Sequence, residues 1–333
     1  MNRKSQLDIV LDQDTFFKGY RGTGDHILSG TLIFIPSSFV KVNKITLQFE
    51  GRYTVSTNTD IRKSETIFFH KDWSFLSETK SFKAGQTNTY DFSLALPRDL
   101  PESIKSEYGS IQYKFKALVD TTLIYFNLKA EKSVFVRRHA DSLITPRHIT
   151  HLEHEWAHKL SCAFTIPRLQ FSPGDEFPLQ LHHEVTDETK LVKVLLAACI
   201  LKQRIVYKSP KNPHHILRET EKKLDMTFDW FREEHLHGEK VLVVKIPSSL
   251  KVYDSSNEYI EVTHRLQIRI DVGYKGKLDS AHYELPIIIT PPEIDEELPC
   301  YNVIPSPPSY ECSMEISSPP QYRTISNSPI LST

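Results

Sequence analysis

The sequence predicts an all-β protein, built as two antiparallel β-sandwiches in tandem and followed by a disordered, proline-rich tail. Three observations carry this reading. Apolar residues recur at every second position in segment after segment, as in a strand with one buried face. The landmarks of the first half return in the second at a nearly constant offset. From Pro291 onward the chain holds nine of its twenty prolines, many serines and no glycine, a composition without the apolar content to fold alone. No segment of residues 7–138 keeps a 3.6-residue apolar period for long, so little helix is expected.

The strands follow in order. Leu7, Ile9 and Leu11 alternate with polar neighbours. Gly22-Thr23-Gly24-Asp25 turns the chain into a strand from Ile27 to Ile35, which Pro36 stops. Ile45, Leu47 and Phe49 alternate, as do Phe92, Leu94 and Leu96 before Pro97. Ile111, Tyr113, Phe115 and Ala117 alternate with Gln112, Lys114 and Lys116. The pattern lapses into a polar link near Arg137 to Pro146. Strands resume at Leu160–Ile166, Phe177–Val185 and Leu191–Tyr207, the last of them bent. Val241–Ile246 ends at Pro247, Val262–Val272 is the cleanest alternation, and Tyr283–Thr290 closes the series. The predicted division is a sandwich over 1–140, a link over 141–150, a sandwich over 151–290 and a tail over 291–333.

The halves read as copies. Gly24-Asp25 and Gly174-Asp175 each open a strand, and Leu96-Pro97 and Ile246-Pro247 each end one, both pairs 150 residues apart. The alternation beginning at Ile111 returns at Val262, an offset of 151. Such regular recurrence argues for two similar domains. The glycines and prolines read as scaffold: Gly24 and Gly174 where a turn needs an unusual backbone angle, and Pro97, Pro101 and Pro247 where the ladder loses a donor.

Composition narrows the function classes. The net charge is −1 over 333 residues, which gives no global bias toward nucleic acid. The tail from Pro291 carries six acidic residues and one arginine, leaving 36 acidic and 40 basic residues in the remainder. A mildly basic body is compatible with peripheral contact with membranes or acidic partners. Four cysteines without CxxC spacing (Cys162, Cys199, Cys300 and Cys312) suit free thiols in a reducing compartment. The polar stretch Met1 to Gln6 is followed by no apolar signal-peptide core, and the longest apolar run, near Leu191 to Leu201, is too short to span a bilayer. A cytoplasmic protein is expected.

Several constellations imitate catalytic or metal sites. His154-Glu155-Trp156-Ala157-His158 satisfies H-E-x-x-H, which on a helix would hold zinc beside a catalytic glutamate. Its context does not: the chain is strand-like by Thr165-Ile166, and no second helix offers a third ligand. A zinc hydrolase is thus a remote alternative, and the segment reads as a solvated or partly buried inter-domain stretch. His182-His183 and His214-His215 are adjacent pairs, which in a strand point to opposite faces; both read as surface histidine. His264 lies on an apolar face and reads as a core imidazole with one hydrogen-bond partner. Lys202, Arg204, Lys208 and Lys211 form a modest basic group, read as charge protecting an exposed hairpin edge. No catalytic residue, cofactor or metal is expected, and the chain is not read as an enzyme.

The binding signal lies in the tail. Pro307-Pro308-Ser309-Tyr310 and Pro319-Pro320-Gln321-Tyr322 both read Pro-Pro-x-Tyr. Paired prolines pre-set polyproline II, so little entropy is lost on docking into the aromatic groove of a WW domain. The tyrosine fills a second pocket and keeps its hydroxyl free for a partner. Ser306, Ser318 and Ser328 each precede a proline and are candidate phosphorylation sites. A phosphate there adds negative charge beside the docking helix.

The first half carries Gly24-Asp25, Ser29-Gly30, Phe82-x-x-Gly85, Leu96-Pro97-x-x-Leu100-Pro101-x-Ser103 and Tyr108-Gly109-x-Ile111-x-Tyr113-x-Phe115-x-Ala117. In that order they resemble the arrestin N-domain. Phe171-x-Pro173-Gly174-Asp175, the strand bearing His264 and Glu284-Leu285-Pro286-Ile287 resemble the arrestin C-domain. With the paired Pro-Pro-x-Tyr motifs, the whole resembles the α-arrestins, the arrestin-related trafficking adaptors. That resemblance implies an adaptor linking membrane transporters or receptors, through their cytoplasmic parts, to a WW-domain HECT-type ubiquitin ligase. Ubiquitination, endocytosis and endosomal sorting would follow, at the plasma membrane and endosomes. The alternative is a WW-binding signalling scaffold without ubiquitin transfer.

Overall fold

The computed structural model describes residues 4–18, 26–57, 63–122, 127–138, 150–187, 191–231 and 236–292. Among them are twenty strands and no helix. The first ten are β1 (Gln6–Leu11), β2 (Thr15–Lys18), β3 (His26–Ile35), β4 (Val40–Ser56), β5 (Lys63–Ser74), β6 (Lys80–Phe82), β7 (Asn88–Leu96), β8 (Ile104–Lys105), β9 (Gly109–Thr121) and β10 (Leu128–Arg138). The second ten are β11 (Thr150–Trp156), β12 (Leu160–Ile166), β13 (Gln170–Phe171), β14 (Glu176–Val185), β15 (Val192–Ser209), β16 (Asn212–Trp230), β17 (His237–Lys245), β18 (Ser255–Ser256), β19 (Ile260–Tyr274) and β20 (Lys277–Ile289). Residues 4–292 of this set belong to one compact unit.

The duplication is visible in the connectivity. In the first sandwich a sheet ordered β1-β3-β7 packs on one ordered β2-β10-β9-β4-β5, with β8 at the side of β9. In the second, β12-β14-β17 packs on β13-β20-β19-β15-β16, with β18 at the side of β19. Replacing each strand by its counterpart converts one order into the other; β11 and β6 are the additions. Each larger sheet even ends in one parallel pair, β2 with β10 and β13 with β20, in an otherwise antiparallel ladder.

The alternation read from sequence is the alternation of burial. Ile111, Tyr113, Phe115, Ala117 and Val119 of β9 are buried, and so are Val262, His264, Leu266, Ile268, Ile270 and Val272 of β19. Pro173-Gly174 forms the turn into β14: Gly174 has φ +92°, and Asp175 N–H donates to Ser172 C=O at 3.0 Å. Proline followed by a positive-φ glycine is the sequence of a type II turn.

Four of the longer strands were not legible, besides the short β2, β6, β8, β13 and β18. β5 and β16 are edge strands with many exposed residues, β10 buries few of its positions, and β11 occupies the region read as an inter-domain stretch. In the last case the correction is specific. The H-E-x-x-H segment is an edge strand of the second sandwich, paired along β12 from Thr150↔Ile166 to Trp156↔Leu160, and it ends in a turn where His158 takes φ +54°.

Gly30 tests the close approach of β1 to β3. A Cβ at this position would sit 2.3 Å from Val10 O, a backbone atom that cannot swing aside. Gly30→Ala is expected to destabilise the body by about 1–3 kcal/mol. A urea-denaturation midpoint equal to that of the parent protein would refute this.

Candidate functional site

Two features lie where the sandwiches meet: an aromatic seam and, beside it, a cavity. The seam arises because one end of β15 and β19 leaves its own core and enters the other. Ile205, Tyr207, Tyr259, Ile260 and Val262 all belong to the apolar core of the first sandwich. Tyr207 packs against Gly109, where any Cβ would lie 2.8 Å from its ring, and its hydroxyl lies 3.0 Å from Ser106 Oγ. Tyr53 Oη donates to Lys208 C=O at 3.1 Å, while its ring and that of Phe68 sit 5.1 and 5.0 Å from Tyr259. The Arg218 guanidinium lies 3.3 Å over Tyr108 and donates to Ser56 C=O. Burial pushes the Tyr53 and Tyr259 hydroxyls well above the ordinary tyrosine range.

The cavity has a volume of about 720 Å³ and lies between β8, β9 and β10 on one side and residues 251–255 and 290–292 on the other. Lys105, Lys114, Arg137, Arg138 and Lys251 line it, against Glu102 and Asp254. Both acids are already engaged. Glu102 accepts from Arg138 at 2.7 Å. Asp254 accepts from Ile289 N–H at 2.6 Å, His264 N–H at 3.1 Å and His264 Nδ1 at 2.5 Å. The other ring nitrogen of His264 faces Gln203 Nε2 at 3.0 Å, and that same amide donates to Val252 C=O at 3.1 Å. The donor inventory therefore fixes the ring with its proton on Nδ1. His264 thus has two side-chain partners rather than the single one expected. It ties the 251–255 loop to the body through Asp254 on one side and Gln203 on the other.

The remaining sequence candidates fall out as follows. His154 and His158 do not converge: His154 packs at a tilt against Tyr283, ring centres 5.0 Å apart, and His158 pairs with Glu155 at 3.2 Å in the turn. No group of three metal-binding side chains occurs among the described residues. Of the adjacent pairs, His214 and His215 are exposed as expected. His183 is not: it is buried, edge-on to Phe231 at 4.8 Å, because its position on β14 faces the core. Lys202, Arg204 and Lys208 lie on β15, a central strand rather than an edge, and meet Glu221, Glu219 and Glu261 at 2.5, 2.7 and 2.7 Å. These three are therefore rungs of a cross-strand charge ladder, while Lys211 lies exposed in the hairpin turn after β15. Cys162 and Cys199 are free thiols, pushed by burial up to about 11 and about 12, and so are unreactive.

Pro307, Pro308, Ser309, Tyr310, Pro319, Pro320, Gln321, Tyr322, Ser306, Ser318 and Ser328 lie outside the described residues, as do Cys300 and Cys312. No helix among the described residues is long and apolar enough to cross a membrane.

Comparison with known families gives two matches. Residues 7–142 match the family described as arrestin (or S-antigen), N-terminal domain, and residues 156–294 match arrestin (or S-antigen), C-terminal domain. No curated protein matches the chain significantly.

Proposed function

Because the chain belongs to the arrestin family, we propose that it is an adaptor of the α-arrestin kind, joining membrane cargo to a WW-domain HECT-type ubiquitin ligase. One observation carries the reading: Pro307-Pro308-Ser309-Tyr310 and Pro319-Pro320-Gln321-Tyr322 recur twelve residues apart, after the second sandwich. The body supplies a surface for the cytoplasmic part of a transporter or receptor, and the tail supplies the ligase. A coil of this spacing spans roughly 20 Å and at most roughly 40 Å. Two WW domains of one ligase can then engage together, which converts two weak contacts into avidity. Ubiquitin transfer to the cargo, then endocytosis and endosomal sorting, is the outcome. The protein would work at the cytoplasmic face of the plasma membrane and endosomes.

The experiment is a pull-down with tandem WW domains, comparing the parent protein with the Tyr310→Ala/Tyr322→Ala double variant. Binding is expected to fall by at least tenfold with the melting temperature unchanged, since the residues of the two apolar cores run from Ile9 to Ile289. Undiminished capture by the double variant would remove the tail from the account. Cargo ubiquitination with ligase and ATP present then separates the adaptor from a scaffold that binds the ligase without transfer.

A further inference from the structure

The last turn of sequence in β16 carries its large apolar side chains on the outer face of the sheet. Opposite the Leu201/Lys202 step of β15 the ladder shifts register, with Leu224 as the extra residue. Beyond the shift Asp225, Thr227 and Asp229 pair with Leu201, Cys199 and Ala197, which belong to the second core. Met226, Phe228 and Trp230 therefore face outward, 38%, 55% and 59% exposed. They stand beside Ile200, Ala198 and Leu196, and the last two are buried although they belong to neither core. The counterpart strand in the first sandwich, β5, also has a register shift, yet turns its rings inward: Phe69 packs on Phe49 and Trp73 on Phe115. A bulge that re-aims a side-chain row is a typical feature of functional edges.

β16 is also the last strand of its sheet, paired only with β15 among the described residues. Over Asp225–Trp230 its outer row is apolar, and its inner row holds Asp225, Thr227 and Asp229. Lys240 already occupies Asp229 at 2.6 Å, whereas Lys245, a cation acting on Asp225, is itself paired with Glu176 at 2.7 Å.

We infer that the Asp225–Trp230 edge of β16 is a strand-addition site for an extended peptide with apolar residues at alternate positions and a basic residue between them. Its backbone pairs with the free edge. Its apolar side chains extend the row of Met226, Phe228 and Trp230, and its lysine or arginine meets Asp225. A second copy of this chain fits less well, because antiparallel self-pairing sets one acidic row against another. The biological setting rests on the adaptor reading: cytoplasmic segments flanking a transmembrane span are rich in lysine and arginine, and their apolar residues supply the rest.

The test needs neither ligase nor cargo, so its outcome is separate from that of the adaptor reading. The full-length protein is titrated by calorimetry with a ten-residue peptide alternating valine and lysine. It is also titrated with the same peptide N-methylated at every second amide and with a copy carrying glutamate for lysine. Binding of the first alone is expected. Phe228→Ser/Trp230→Ser should weaken it at least tenfold, and Asp225→Lys should do the same. The single variant Phe228→Ser serves if the double variant loses its cooperative melt. Equal binding of the N-methylated peptide would overturn strand addition. So would retention of binding by the serine variants or by Asp225→Lys, or no binding of any peptide. Two further results would assign the edge to a different occupant and overturn the inference. One is a parent protein that sediments as a dimer while the serine variants are monomeric. The other is an edge that binds phosphatidylserine vesicles but no peptide.

Discussion

Tyr207→Ala is expected to lower the stability of the body by about 3–5 kcal/mol, the range for deleting a fully buried aromatic side chain. Its ring is 1% exposed and sits in the core of a sandwich to which its own strand does not belong. Removing it opens a void beside Gly109, leaves Ser106 Oγ with only its bond to Gly109 C=O and leaves Tyr108 without its edge-on neighbour at 6.5 Å. The effect should be shared by both sandwiches, because the void lies in the surface that joins them. The tryptophans make this measurable: Trp73 reports on the first sandwich, and Trp156 and Trp230 on the second. In the parent protein, a Trp73→Phe form and a Trp156→Phe/Trp230→Phe form should give coincident urea transitions, as one cooperative unit does. In the Tyr207→Ala background the two transitions should separate. A midpoint unchanged by Tyr207→Ala, or reporters that already disagree in the parent, would refute a shared core.

How much of this was legible follows from which residues face the core. β9 and β19 are central strands with one face buried throughout, so period-two alternation marks them, and their 151-residue offset is the duplication seen in the strand orders. β16 escaped because alternation assumes apolar residues inside. Its inward positions hold Arg218, Thr220, Lys222, Asp225, Thr227 and Asp229, and a register shift changes the parity midway. No local rule recovers that pattern; only the pairing with β15 does. β11 escaped because an edge strand of a four-stranded sheet has few buried positions, and its histidines and glutamates read as a motif instead. The seam was invisible for another reason. Tyr207, Tyr259 and Tyr53 look like ordinary strand aromatics, and nothing in their spacing says that two of them belong to the neighbouring core. His264 was placed correctly in the core, but its second partner, Gln203, lies 61 residues away on another strand.

That second partner makes Asp254→Asn the other substitution with a large expected effect. Asp254 accepts three hydrogen bonds with two oxygens: Oδ1 from His264 N–H, and Oδ2 from both His264 Nδ1 and Ile289 N–H. A carboxamide has one oxygen and one NH₂ group. If its oxygen takes the place of Oδ1, the NH₂ faces the donors at Ile289 and His264 Nδ1; if it is flipped, the NH₂ faces the His264 amide. In the first orientation His264 can relieve its own clash by moving its proton to the other ring nitrogen. That nitrogen then meets the Gln203 NH₂, and Gln203 can turn its oxygen inward only by giving up Val252 C=O. Every arrangement leaves at least one buried donor or acceptor without its match, at about 1–3 kcal/mol each. The expected loss is about 2–4 kcal/mol, and the damage should appear first in the loop walling the inter-sandwich cavity. The amide of Ile289 should exchange its proton faster by at least tenfold, while amides within β9 follow only the global loss. If protection of Ile289 is retained in Asp254→Asn, the carboxylate is not what ties residues 251–255 to the last strand of the body.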